Sequence, residues 1–173
     1  GGVYIDGSYE LLMADDIRWG NLNLPEVSVD PESRRNLLFV KQAYMRLADA
    51  LVNRNQNDSA IAVLDRCQEF FPDEKVPYDL YMMAYPEIYY RAGAMEKGDE
   101  LINKIIDNST DNLRYFSELD DRFIPYYSES IRENLAIINE MSNVASKYKR
   151  TELANSLNNL LEQEFDKFLS VFN

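Results

Sequence analysis

Histidine is missing from the 173 residues, and cysteine occurs once, as Cys67. Without imidazole there is no Ser-His or Cys-His pair and no His-ligated metal. A lone cysteine closes no internal disulfide, and Cys67 belongs to no Cys/His cluster of the zinc kind. No apolar run approaches the ~20 residues of a membrane helix, and no signal peptide is visible. Basic charge is scarce: 18 Lys and Arg against 30 Asp and Glu leave a net −12. That balance repels nucleic acid and anionic membrane surfaces, and its plainest consequence is solubility. The opening Gly-Gly reads as a cloning remnant, so the chain reads as an excised piece, and its lack of a targeting signal leaves the compartment open.

What is present is helical patterning in a chain long enough for one domain with a core of its own. Twelve Tyr and eight Phe favour strands by propensity, but their spacing is helical. Leu37, Leu38, Tyr44, Leu47, Ala48 and Leu51 recur in steps of three and four. Asp30-Pro31 supplies a cap acceptor and a first-turn proline. The run "RNQND" ends this helix, and Asp58 is the expected cap of the next. That helix presents Ala60, Ile61, Val63, Leu64, Cys67, Phe70 and Phe71 and stops at Pro72. Small residues at Ala48 and Ala60 allow close backbone approach. With Lys41 as the first position, Tyr44, Leu47, Ala48, Leu51, Ala60, Leu64, Cys67 and Pro72 fall into the register of a tetratricopeptide repeat.

A second unit follows, with Met82, Tyr85, Tyr89, Gly93, Gly98, Leu101 and Ile105 in matching roles. Pro86 falls inside its first helix and is expected to bend it. "DNSTD" reads as a break, followed by a short helix over 113–119. A long helix over about 126–147 carries Ile131, Leu135, Ile138, Met141 or Ser142, Ala145 and Tyr148. Thr151 is the expected cap of a last helix with Leu153, Leu157, Leu160, Leu161, Phe165, Phe168 and Phe172. This pair lacks the repeat's turn glycine and reads as a terminal hairpin closing a stack, with Glu152, Asn155, Asn159, Glu162 and Asp166 on its polar side. The first thirty residues read as an extended, turn-rich segment with a short helix over 9–17, Ser8 as its cap, and Trp19 and Val27 anchoring it along the helices. The fold class expected is therefore all-α: a tetratricopeptide-like stack of about six to seven helices after an extended N-terminal segment. The expected division is 1–30 and 31–173, with repeat units at about 41–73 and 79–107 and a terminal hairpin at 126–172.

No catalytic constellation emerges. Asp15-Asp16 and Asp120-Asp121 are adjacent pairs, whereas hydrolytic carboxylates face each other across a substrate. "DNSTDN" lacks the central glycine and distal glutamate of a calcium loop. Cys67 lies on an apolar stripe, as a small buried hydrophobe does. No catalytic residue, metal ligand or cofactor is expected. What remains is binding surface. First helices of such repeats line a groove, and the register places Gln42, Met45, Asp49, Val52 and Asn53 there, with Leu80, Met83, Glu87, Tyr90 and Arg91 from the second unit. Mixed apolar, amide and charged groups suit an extended peptide or a partner helix.

The motifs "RWGNLNLPEVSVD", "RLADALVNRNQNDSAIAVLDRCQEFFPDEKVPYD" and "AYPEIYYRAGAMEKGDELI", in that order, resemble the C-terminal soluble region of a family of large bacterial multi-pass membrane proteins. The membrane part of that family is similar to protein O-mannosyltransferases, and the family carries a domain-of-unknown-function label. The resemblance covers nearly the whole chain and is strongest over 19–105. It implies a domain hung from the last membrane span, facing the periplasm, with any glycosyl transfer residing in the membrane part. The expectation is a non-catalytic interaction or scaffold module for a polypeptide or partner subunit, without nucleic acid and without inserting into the membrane. Its alternative is a purely structural domain packing on the parent's own membrane portion. A carboxylate-dependent hydrolase comes last.

Overall fold

The computed structural model describes residues 3–17, 19–22, 24, 26–120 and 122–169. Among these are seven α-helices and no strand: α1 (Ile5–Leu12), α2 (Pro31–Asn53), α3 (Asn57–Phe70), α4 (Ala84–Arg91), α5 (Met95–Ser117), α6 (Ser128–Lys147) and α7 (Thr151–Lys167). The all-α hairpin architecture is the one the spacing predicts. The chain forms two compact units, Gly1–Gly98 and Asp99–Asn173, so the N-terminal segment belongs with the first helices and the border falls within α5.

In the first unit α2 starts as its sequence dictates. Asp30 adopts an extended conformation, its carboxylate accepts the N–H of Glu32 and of Ser33 at 3.0 Å each, and Pro31 occupies the first turn. The stripe Tyr44, Leu47, Ala48 and Leu51 is buried against Ala60, Val63, Leu64 and Cys67 of α3. Both small residues are fully enclosed, which is the close helix approach their size permits. Asp58 does not cap α3. The helix begins at Asn57 with Gln56 in the cap position and no side-chain cap bond, leaving Asp58 in the first turn, where a negative charge suits the helix dipole.

The same three-residue turn recurs at residues 54–56, 92–94 and 148–150. In each, the middle residue has positive φ: Asn55 at 58°, Gly93 at 89° and Lys149 at 60°. Each also closes the preceding helix with two backbone bonds. Asn55 and Gln56 donate to Val52 and Leu51, Gly93 and Ala94 to Tyr90 and Tyr89, and Lys149 and Arg150 to Ser146 and Ala145. This left-handed cap satisfies carbonyls that a helix end leaves orphaned. Glycine adopts it freely, asparagine at little cost, and lysine at roughly 1 kcal/mol. The α6–α7 pair therefore keeps the turn geometry without the turn glycine. Thr151 is the first residue of α7 rather than its cap, because Arg150 is already committed to Ala145.

Two further expectations give way. Pro86 bends nothing. A 3-10 turn, Leu80–Met82, precedes α4, which starts at Ala84, so the proline sits in a first turn whose N–H groups have no helical partner to lose. The "DNSTD" run breaks nothing either. α5 is continuous through it, because Ile102, Ile105, Ser109, Leu113 and Phe116 hold a buried three-to-four spacing across the polar residues. Thr110 satisfies its hydroxyl inside the helix, on the Ile106 carbonyl at 2.8 Å.

The N-terminal helix lies four residues earlier than expected, with Ile5 and Leu12 buried two turns apart and Ser8 inside it. The segment does lie along α2 and α3. Tyr44 donates its hydroxyl to Leu12 O at 3.0 Å, Trp19 packs on Phe71 at 5.2 Å and on Phe70 at 6.5 Å, and Lys75 holds Val27 O at 2.6 Å. In the second unit α6 buries Ile131, Leu135, Ile138, Met141, Ser142 and Ala145 as its spacing predicts. α7 contributes Ala154, Leu157 and Glu164, followed by Phe168. Phe165, read as part of that stripe, is exposed, and Phe172 lies outside the described residues.

Candidate partner-binding wall

Two ties fix how α4 lies on α2. Tyr85, near the start of α4, donates its hydroxyl to the Lys41 carbonyl at 2.7 Å. Arg91, at the end of α4, donates to Asp49 Oδ1 at 2.5 Å and to Asn53 Oδ1 at 2.6 Å. Later residues of α4 meet later residues of α2, so the two helices run in the same direction, as first helices of successive repeats do. Met45, Asp49, Val52 and Asn53 share one face of α2 by their spacing of three and four, and Glu87 and Arg91 line up likewise on α4, with Met83 at its N-cap.

The wall is not wholly open. Arg91, Asp49 and Asn53 bond to one another, with Asn53 Nδ2 also 3.3 Å from Asp49 Oδ2. The Arg91–Asp49 ion pair is partly solvated and contributes about 1 kcal/mol or less. Gln42, Met45, Val52, Met83 and Glu87 are half-buried, as is Leu80. Tyr90 leaves the set. It is 2% exposed, and its ring lies so close to Gly98 that a Cβ there would meet Tyr90 Cε1 at 2.4 Å. The register places Tyr90 correctly along the chain, but its ring wedges inward where α4 turns into α5.

Behind the wall lies a buried polar interior that the register alone did not single out. Lys41 is 1% exposed, and its ammonium donates to Val76 O at 2.8 Å and lies 4.6 Å from the centre of the Tyr78 ring. The Tyr85 hydroxyl also meets Cys67 Sγ at 3.2 Å. The Tyr89 hydroxyl bonds to Asp65 at 2.8 Å and Gln68 at 2.6 Å, while Lys97 grips both Asp65 oxygens at 2.9 Å. A signal was available: Lys41 stands three residues before Tyr44 and seven before Ala48, on the apolar stripe itself.

Burial sets the electrostatics. It lowers Lys41 from 10.5 to about 8, against the opposing pull of Cys67, Asp79 and Asp73. It raises Cys67 to about 11, so the thiol stays protonated and inert. Tyr78, Tyr85 and Tyr89 are pushed upward for the same reason. The thiol and the tyrosine hydroxyls are therefore hydrogen-bonding posts rather than acids or bases poised near neutrality.

One member of each adjacent carboxylate pair meets an arginine. Asp15 faces Arg66 at 3.6 Å, and Asp120 accepts the Arg122 N–H at 3.2 Å, while Asp121 lies outside the described set. A cavity of about 520 Å³ at the start of α7 is lined by Asp99, Asn103, Lys149 and Arg150, but Arg150 already clasps both Asp99 oxygens. No described group of three or more His, Cys, Asp or Glu side chains is placed to hold a metal ion. No described helix is long and apolar enough to cross a membrane.

Fold and wall together define a helical-hairpin protein with a mixed-polarity face. No protein-family model, curated protein or solved structure matches the chain.

Proposed function

We propose that this chain is a non-catalytic interaction module whose α2–α4 face holds a polypeptide segment or a partner subunit. The observation that carries the reading is the parallel seating of α4 on α2. It aligns Met45 and Val52 with Met83 and Glu87 beside the Arg91–Asp49–Asn53 network. Half-buried methionines adapt to varied side chains, and the amide and charged groups offer hydrogen bonds that fix orientation. The sequence resemblance to the soluble region of O-mannosyltransferase-like membrane proteins supports a parent that is itself a membrane protein, with this module on its periplasmic face.

The test is selection of a displayed random peptide library on the wild-type chain, followed by titration against a Met45→Glu, Met83→Glu variant. Both positions are half-buried, so circular dichroism first establishes that the variant remains folded. Selected peptides are expected to lose at least tenfold in affinity for the variant, about 1.4 kcal/mol. Equal affinity for both forms overturns the wall as the binding face.

A further inference from the structure

The segment over residues 71–79 joins α3 to the 3-10 turn before α4 and is tied to the middle of α2 as a strap. Its seat is partly apolar: Phe71, Val76 and Tyr78 are buried. Two lysines tie it down. Lys41 of α2 donates to Val76 O, and the strap's own Lys75 donates to Val27 O of the N-terminal segment. Of these, Lys41 is the unusual one. An ammonium carries three N–H donors, and the described partners of this one are a single carbonyl and the face of the Tyr78 ring. Taking such a charge out of water costs more than one carbonyl and one ring return. A neutral amine would keep the bond to Val76 without that cost.

We propose that the 71–79 strap is a proton-sensitive latch, seated on Lys41, that opens more readily when Lys41 carries its proton. The titratable and charged groups facing Lys41 are Cys67 from α3, Asp73, Tyr78 and Asp79 from the strap, and Tyr85 from α4. Asp73 accepts the Tyr78 N–H at 2.6 Å within the strap, and Asp79 caps the following 3-10 turn by accepting the Tyr81 N–H at 3.0 Å. Cys67 and the tyrosines keep their protons to well above Lys41's range, which leaves Lys41 as the group that changes charge just above neutrality. Opening the strap returns Lys41 to water and to its ordinary value. The open state therefore binds the proton more tightly than the closed one, and raising the pH favours closure.

Hydrogen exchange reads this directly. Val76 and Tyr78 are buried on the seat and their N–H groups are bonded within the strap, to Pro72 O at 3.0 Å and to Asp73, so exchange at either requires the strap to lift into water and its turn to part. After correction for intrinsic exchange, their opening constants are expected to fall by close to tenfold between about pH 7.5 and about pH 9 in the wild-type chain. In Lys41→Met, of similar length and without charge, that dependence is expected to vanish. A second measurement does not require the variant to fold: the Lys41 side-chain resonances of the wild type should titrate with a midpoint near 8. Strap protection that is independent of pH in the wild type, an unchanged dependence in Lys41→Met, or a Lys41 midpoint at the ordinary lysine value each overturns the latch.

Discussion

The two units solve the same packing problem with different interiors. The first buries Tyr44, Tyr78, Tyr85, Tyr89 and Tyr90 together with Lys41 and Cys67. The second buries mainly aliphatic groups, Ile102, Ile105, Leu113, Ile131, Leu135, Ile138, Met141, Val144 and Leu157, with the polar side chains of Ser109, Asn134, Ser142 and Glu164 enclosed beside them. An aliphatic interior draws most of its stability from transfer of apolar area, at about 25 cal/mol per Å². A tyrosine-rich interior gains comparable area and also places hydroxyls at defined points, so it selects one arrangement of the helices. Tyr85 on the Lys41 carbonyl and Tyr89 on Asp65 are such points. The wall proposed for binding stands on the hydroxyl-pinned unit, where two helices must keep a set register for their side chains to form one face.

This contrast can be broken by substitution. The largest effect is expected from Ile138→Ala in the second unit, where a fully enclosed side chain is truncated. A loss of about 2–5 kcal/mol should appear in urea denaturation. A loss below about 1 kcal/mol would mean that this interior is not close-packed. Next comes Gly98→Ala in the first unit, whose new methyl collides with the enclosed Tyr90 ring. About 1–3 kcal/mol should be lost, and Tyr90→Leu in the same background should recover part of it. Tyr85→Phe keeps the ring and removes the hydroxyl from Lys41 O and Cys67, at an expected cost of about 1 kcal/mol. A neutral result there would remove the claim that hydroxyls set the register of α4 on α2.

The smallest effect has the opposite sign. Lys149→Gly should stabilise the second unit by about 0.5–1 kcal/mol, since the left-handed conformation is already in place and glycine adopts it without a Cβ conflict. Asn55→Gly at the equivalent turn should change stability by a few tenths, because asparagine tolerates that conformation. Both are measured by thermal melts.

pH separates the groups of the first interior. Lys41 is lowered to about 8 from 10.5, so its penalty is fully present below 8 and disappears as pH rises toward 10.5. Cys67 is raised to about 11 from 9.0, so its contribution is present below 9 and is lost between 9 and 11. In Lys41→Met the rise just above pH 8 should be absent while the alkaline loss remains, as followed by circular dichroism melts.

Some of this was legible residue by residue and some was not. Tyr44, Leu47, Ala48, Leu51, Ala60, Leu64 and Cys67 are all enclosed because helical period alone puts them on facing stripes. The same period ran unbroken through "DNSTD", where local turn chemistry pointed to a break. The buried anchors at Ile105, Ser109 and Leu113 prevailed over that chemistry. The wall residues were placed by register, which holds along a helix, whereas the inward turn of Tyr90 depends on Gly98 leaving space for its ring. Sequence by itself determined that the chain is helical, about where α2, α3 and α6 begin and end, and which stripes are apolar, because those follow from spacing within one segment. Tertiary structure alone decided that Lys41 lies dry beneath the strap, that Arg91 spans to Asp49 and that a lysine occupies a glycine's turn. The first two rest on groups brought together from distant parts of the chain, and the third on a backbone conformation that the apolar pattern does not encode.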